Sequence, residues 1–181
     1  ALHKLTAALS DAERIAFDVE SSSTDKQRAK LVGISLAWGA AVADSAYIPV
    51  GHDGARQLSL AEVQAALQPF LAGAKLKVAH NAKFDMTLLE RHGFTVTAPL
   101  ADTMIAAWLI DPASRGLGLK TLAFNRLGVE MTEISDLIGK GKRQISMGAV
   151  PLAKAAPYAA ADAQMTWRLY DALLPELEKR A

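Results

Sequence analysis

Short apolar runs bounded by polar residues open the chain, and helical spacing takes over further on. Arg14-Ile-Ala-Phe-Asp-Val-Glu20 has an apolar interior and polar flanks, the pattern of a buried strand. Leu31 to Trp38 and Ser45 to Val50 follow at close range, and the three read as an antiparallel meander. Pro49 has no N–H for a ladder, which predicts that the third strand reaches a sheet edge. Leu60, Val63, Leu67 and Leu71 recur at helical spacing and predict a helix from Ser59, its N-cap, to about Ala72. Leu76 to Ala79 reads as a fourth short strand. Further helices are predicted from Ala82 to His92, stopped by Gly93; from Asp102 as cap to a point before Pro112; and from Leu119 to Leu127, stopped near Gly128. Residues 129–148 are polar and irregular, and a last long helix is expected from Pro157 to the end. A meander followed by helices alternating with short strands defines an α/β fold: a mixed sheet, part antiparallel and part parallel, flanked by helices. No linker, repeat or low-complexity tract divides it, so residues 1–181 are expected to form one domain.

Composition narrows the chemistry. A chain of 181 residues builds a core without covalent staples. The absence of cysteine excludes a disulfide framework, a thiolate nucleophile and every cysteine-containing zinc site. No apolar run is long enough to span a membrane, and the N-terminal residues lack the plan of a signal peptide. A soluble, intracellular protein with no membrane partner is therefore expected, and it is taken to be a monomer. A formal net charge of +1 does not advertise nucleic acid as strongly basic domains do.

The informative residues are acids on faces that the pattern reserves for hydrophobes. Asp18 and Glu20 are two apart on a strand and leave the same face. Asp85 shares a helical face with Leu88, Leu89 and His92. Asp162 falls on the stripe of Tyr158, Met165, Leu169 and Leu173. Each has an ordinary reading alone: an acid pair at a strand end is commonly solvated, Asp85 near a helix N-terminus suits the dipole, and apolar stripes have ragged edges. Together, on three elements with few cations nearby in sequence, they predict a shared divalent ion, because a lone buried carboxylate costs several kcal/mol or protonates.

Oxygen ligands without cysteine or a histidine cluster point to Mg²⁺ or Mn²⁺, and several carboxylates suit a pair of ions that aid in-line displacement at phosphorus. Tyr158, one turn before Asp162, brings its hydroxyl to the same place. A phenol with pKa near 10 is a poor base at neutral pH but can orient a water. Asn81 either caps the helix that carries Asp85 or reaches substrate, capping being the default. Lys140, Lys142 and Arg143 lie among glycines, where backbone can approach phosphate, and Lys83 lies near Asp85. The three tryptophans, Trp38, Trp108 and Trp167, are expected in the core or packed on the sheet, not as a stacking platform. The four histidines show no metal-ligand spacing.

Phe17-Asp18-Val19-Glu20, Asn81-Ala-Lys-Phe-Asp85 and Tyr158-Ala-Ala-Ala-Asp162 resemble, in order, the three motifs of the DEDD exonuclease superfamily. The tyrosine four residues before the last aspartate marks the tyrosine subclass; the histidine subclass would need His where Pro157 stands. Leu31-Val-Gly-Ile-Ser-Leu-Ala37, Ala46-Tyr-Ile-Pro-Val-Gly-His52 and Gly139-Lys-Gly-Lys142 extend the likeness along nearly the whole chain, to the proofreading domain of bacterial family A DNA polymerases of the DNA polymerase I type. The resemblance implies a ribonuclease H-like fold, with a mixed five-stranded sheet flanked by helices, and removal of nucleotides from the 3′ end of single-stranded or frayed DNA as 5′-mononucleotides. It implies that Asp18, Glu20 and Asp162 hold one ion, that Asp18 bridges to a second, and that Asp85 acts there on the leaving 3′ oxygen. Glu20 and Tyr158 would orient the attacking water. Ile134 stands where the enterobacterial relative has an aromatic that holds the terminal bases, and Thr24 where it has a wedging leucine, which implies weaker terminal-nucleotide binding. A polymerase domain in the parent protein and a bacterial cytoplasmic setting follow from the same likeness. The competing functions are an RNA-trimming enzyme of the ribonuclease D kind and a catalytically idle DNA-binding module.

Overall fold

The computed structural model describes residues 2–25 and 27–180. It opens with a helix that the sequence pattern did not disclose, α1 (Leu2–Asp11), which buries only Leu5 and Leu9. Two buried positions make a stripe too short to stand out from the flanking polar residues. The Lys75 ammonium donates to the carbonyls of Leu9 (3.0 Å), Ser10 and Ala12, setting a cation at the negative end of the helix.

The expected meander follows as β1 (Arg14–Ser21), β2 (Leu31–Ala37) and β3 (Ser45–Pro49), with both pairings antiparallel. α2 (Leu60–Leu71) starts at a reciprocal cap: the Ser59 hydroxyl accepts from the Glu62 N–H, and the Glu62 carboxylate accepts from the Ser59 N–H. β4 (Leu76–Ala79) lies parallel to β1, then come α3 (Ala82–Arg91) and β5 (Leu100–Asp102), which is parallel to β4. The sheet order is β3-β2-β1-β4-β5, with Pro49 on an edge strand as predicted. β5 has only three residues, too few for an alternation to register in the sequence.

The rest is helical: α4 (Thr103–Ile110), α5 (Leu119–Leu127), α6 (Ile134–Ile138) and α7 (Leu152–Glu178). Two of these correct the sequence reading. Residues 129–148 are not wholly irregular, since they contain α6 and 3₁₀ turns at Gly141–Arg143 and Met147–Ala149. α7 begins at Leu152, before the predicted start, and carries Pro157 inside it. Proline there forfeits one main-chain hydrogen bond, but burial of Ala155 and Ala159 holds the turn against the sheet.

Alternation along β1 sorts the two faces. Ile15, Phe17 and Val19 pack with Leu5, Leu9, Val63, Leu67, Leu71, Leu88 and Leu89 beneath α1, α2 and α3. The other face is built small: Ala16, Gly33, Ser35 and Ala37 line the sheet, and Ala155, Ala159 and Ala163 line α7, all three fully buried. With little side chain between them, α7 lies close on β1, β2 and β3. That close approach brings its acid to those of β1.

Trp167 is buried under Arg14, whose guanidinium carbon is 3.9 Å from the ring centroid, and Trp38 is half-buried. Trp108 corrects the expectation of a core role: it is 48% exposed, beside exposed Ile105 and Leu109. α4 is apolar nearly all round, and only the side bearing Thr103, Ala107 and Ile110 finds cover. No helix among the described residues is long and apolar enough to cross a membrane.

Candidate active site

The site forms where β1, α3 and α7 meet. In the β1–β2 ladder Asp18 stands opposite Ser35 and Glu20 opposite Gly33, and the register shifts between Glu20 and Ser21. Both acids leave the face that α7 covers. Asp162 comes from α7, and Asp18, Glu20 and Asp162 each offer a carboxylate oxygen within 4.8 Å of the other two. Asp85, on the first turn of α3, lies outside that tight set. It is 4% exposed, and its Oδ2 is buried without a hydrogen-bond partner. A cluster made only of carboxylate oxygens, two of which (Asp85 Oδ2 and Asp162 Oδ1) are buried without a hydrogen-bond partner, fits hard divalent cations.

Burial and mutual repulsion perturb the acids strongly. Burial, then the charge of Asp162, pushes Asp18 well above the carboxylate range. Glu20 is pushed up to about 9 by burial, then by Asp18 and Asp162. Burial raises Asp162 to about 6, with Lys120 opposing the rise. Asp85 rises through burial, then through Asp18, Asp102 and Glu20. The half-buried Tyr158 phenol is likewise pushed up, first by burial and then by Asp162, so it stays protonated and serves as a hydrogen-bond donor or acceptor and not as a base.

A pH dependence follows. Glu20 titrates at its ordinary 4.5 when unfolded and at about 9 when folded, so the folded state holds the extra proton. The stability this contributes is complete below about pH 4.5 and is lost as pH rises towards about 9. Ligation requires the deprotonated acid, so binding a divalent ion expels that proton. In chelator, the melting temperature is expected to fall across this window, with Mn²⁺ restoring most at the alkaline end. Calorimetry in buffers of different ionisation enthalpy should register proton release near neutral pH; binding with no net proton release would contradict the arrangement.

The remaining sequence candidates fall in three places. Thr24 and Ile134 meet, with Glu20, Ile138, Gly141 and Met147, around a cleft of ≈ 500 Å³ beside the acids. Lys140, Lys142 and Arg143 are exposed on the 3₁₀ turn that carries Gly141 at the rim of this cleft. Lys83 lines a separate depression with Met86, Leu100 and Ile105 on the outer side of α3. Asn81 corrects the capping expectation: it adopts a left-handed conformation (φ 61°) and its side chain caps nothing. The cap is supplied by Asp102, whose carboxylate accepts from the N–H groups of Asn81 (3.1 Å) and Ala82 (2.8 Å) at α3. The same carboxylate accepts from Met104 (2.8 Å) and Ile105 (3.3 Å) at α4. One acid thus caps two helices, one of which presents Asp85.

Two further residues were missed. Lys120, in the first turn of α5, sets its ammonium 3.5 Å from Asp162 Oδ1 and donates to the Tyr158 hydroxyl (3.1 Å) and the Thr132 carbonyl (2.6 Å). The signal was available: Lys120 shares a stripe with Ala123 and Leu127, so the test applied to misplaced acids would have found this misplaced cation. Tyr47 lies over Gly33, where a Cβ would sit 2.2 Å from the ring. Its hydroxyl is 2.8 Å from His52 Nε2, and His52 Nδ1 is 3.1 Å from the Val150 carbonyl. A carbonyl only accepts, so Nδ1 carries the proton and Nε2 accepts from Tyr47. Burial, then Glu20 and Asp18, push the Tyr47 phenol up, which sets it among the acids. His52 and His92 are structural, the latter bridging the Leu31 N–H and the Leu88 carbonyl.

A mixed sheet of this order, with acids of its central strand met by an acid of the long covering helix, defines a ribonuclease H-like nuclease domain. The chain belongs to the 3′-5′ exonuclease family of the family A DNA polymerases, whose model matches residues 1–178. It is 46% identical over 181 residues to DNA polymerase I of Chloroflexus aurantiacus, covering 98% of this chain and 19% of that protein. The chain therefore spans about a fifth of the length of this curated relative. Among solved structures, the POL domain of Pol1 from M. smegmatis in complex with DNA primer-template and dNTP superposes with a TM-score of 0.72 at 25% identity, covering 97% of this chain and 26% of that one. Escherichia coli RNase D, an exoribonuclease, gives a TM-score of 0.71 at 21% identity, covering 98% and 43%, a likeness of fold.

Proposed function

We propose that residues 1–181 form a DNA 3′→5′ exonuclease domain that uses two divalent ions, Mg²⁺ or Mn²⁺, and releases 5′-mononucleotides from single-stranded or frayed 3′ ends. The observation that carries this reading is the meeting of Asp18, Glu20 and Asp162 oxygens within 4.8 Å of one another, beside Tyr158. Asp18, Glu20 and Asp162 would hold one ion, and Asp18 with Asp85 the other. When bound, such ions acidify a water and neutralise charge growing on the phosphate. Glu20 and Tyr158 orient the attacking water, and the phenol does so without giving up its proton. Asp85 acts on the side of the leaving 3′ oxygen.

The terminal nucleotide is assigned to the cleft between Thr24 and Ile134. Ile134 offers apolar contact without a stacking face, which gives up about 1–3 kcal/mol per base. Lys140, Lys142 and Arg143 on the rim are positioned to meet backbone phosphates, and the exposed Asn81 side chain, free of capping duty, can reach the strand. Lys83, on the outer side of α3, serves at most a more distant part of that strand. A polymerase domain in the parent protein, in the bacterial cytoplasm, is part of this reading, with the exonuclease domain itself monomeric.

The test is to incubate the domain with 5′-labelled DNA and RNA oligonucleotides of one sequence in Mg²⁺ or Mn²⁺. A ladder shortening from the 3′ end of DNA, faster than of RNA, is the expected result. Faster trimming of RNA would assign the ribonuclease D kind of function. No shortening of either would make the domain an idle binding module.

A further inference from the structure

We infer that Lys120 is a positioning residue: its ammonium is the resident counter-cation of Asp162 in the metal-free protein, and it holds the Tyr158 hydroxyl beside that carboxylate. The catalytic half of this inference rests on the function proposed above; the electrostatic half does not.

The ammonium makes two hydrogen bonds and one charge contact. The Thr132 carbonyl at 2.6 Å anchors it to the loop before α6, the Tyr158 hydroxyl accepts at 3.1 Å, and Asp162 Oδ1 lies at 3.5 Å. The same nitrogen is 4.3 Å from the Tyr158 ring centroid, so ring and hydroxyl are both engaged. Lys120 begins α5, whose N-terminal end repels a cation. The acids opposite, with the Thr132 carbonyl and the Tyr158 ring, offset that repulsion, and the ammonium lowers the pKa of both Asp162 and Glu20 relative to what burial alone would impose. The contact with Asp162 is a charge contact longer than a hydrogen bond, and Asp162 Oδ1 has no hydrogen-bond donor. An ammonium held at that distance offsets charge while leaving the oxygen's lone pairs free for an ion.

Two consequences have opposite signs, which separates positioning from mere packing. Removing the ammonium makes the acid cluster more negative, so a divalent ion should bind more tightly. It also releases the Tyr158 hydroxyl, so turnover should fall. Loss of a packing residue would instead weaken both together.

The experiment compares wild type, Lys120→Met, Tyr158→Phe and the double variant. Mn²⁺ binding is followed by the electron paramagnetic resonance of the free ion, melting temperature is measured in chelator and in Mn²⁺, and kcat and KM on a DNA oligonucleotide are measured separately. For Lys120→Met, Mn²⁺ should bind at least about fivefold more tightly, as the loss of a nearby like-signed charge requires. Its melting temperature should fall in chelator, and the deficit should close in Mn²⁺. Its kcat should fall about tenfold with KM little changed, and the substitution should add no further loss on top of Tyr158→Phe. Weaker Mn²⁺ binding in Lys120→Met, or kcat losses that multiply in the double variant, would overturn the inference. If wild type degrades neither DNA nor RNA, the proposed function fails, and the Mn²⁺ and melting measurements still decide the electrostatic half.

Discussion

Replacing Asp18 with alanine is expected to lower the exonuclease rate by about 10³-fold or more while leaving the metal-free protein at least as stable as wild type. Asp18 belongs to the tight set with Glu20 and Asp162, and its charge also acts on Asp85. In the proposed arrangement it is the acid shared by both ions. Losing several kcal/mol of stabilisation of the developing phosphate charge corresponds to that rate, at about 1.36 kcal/mol per tenfold. The stability forecast points the other way because Asp18 is a liability without metal. Burial and the charge of Asp162 both oppose its ionisation, and alanine removes the burden without opening a large cavity. Initial rates on end-labelled DNA, with melting curves in chelator, check both halves. A variant within tenfold of wild-type activity would remove Asp18 from the mechanism, and one that unfolds in chelator would make it a structural acid.

Asp102→Ala has the largest expected effect on stability. Its carboxylate accepts from four main-chain N–H groups at the starts of α3 and α4. A lost N-cap costs about 0.5–2 kcal/mol, so losing two together should cost about 1–4 kcal/mol. For a chain of this size that is a fall of about 2–16 °C in melting temperature. Activity should fall as well, because the freed α3 terminus carries Asp85. Asp102→Asn keeps one acceptor oxygen and should lie between alanine and wild type. Thermal melts of the two variants check the ordering, and an Asp102→Ala protein melting within a degree or so of wild type would show that water caps both helices adequately.

Much of this arrangement could be read from the chain. The pairing of apolar periodicity with misplaced acids locates β1, α3 and α7 and singles out Asp18, Glu20, Asp85 and Asp162. The order of the motifs pointed to the family that the comparisons then showed. What escaped did so for physical reasons. α1 buries two residues and β5 spans three, so neither offers a period to detect. α7 starts early because buried alanines hold a turn that Pro157 would otherwise discourage. Asn81 stands at a helix start with a favourable side chain, yet Asp102, distant in sequence, takes its role because β5 ends beside the start of α3. Lys120 is one cation on the mixed surface of a short helix, and only the packing of α5 against α7 shows that it meets the acids. A near-neutral formal charge of +1 likewise concealed how unevenly charge is placed, with three acids drawn together in the interior.

The most direct measurement is anomalous diffraction from crystals soaked in Mn²⁺ and a nucleoside 5′-monophosphate. Two manganese peaks are predicted, one among Asp18, Glu20 and Asp162 and one between Asp18 and Asp85, with the nucleotide phosphate touching both and its base in the cleft between Thr24 and Ile134. No peak among these acids at an ion concentration that supports the wild-type enzyme would contradict the account.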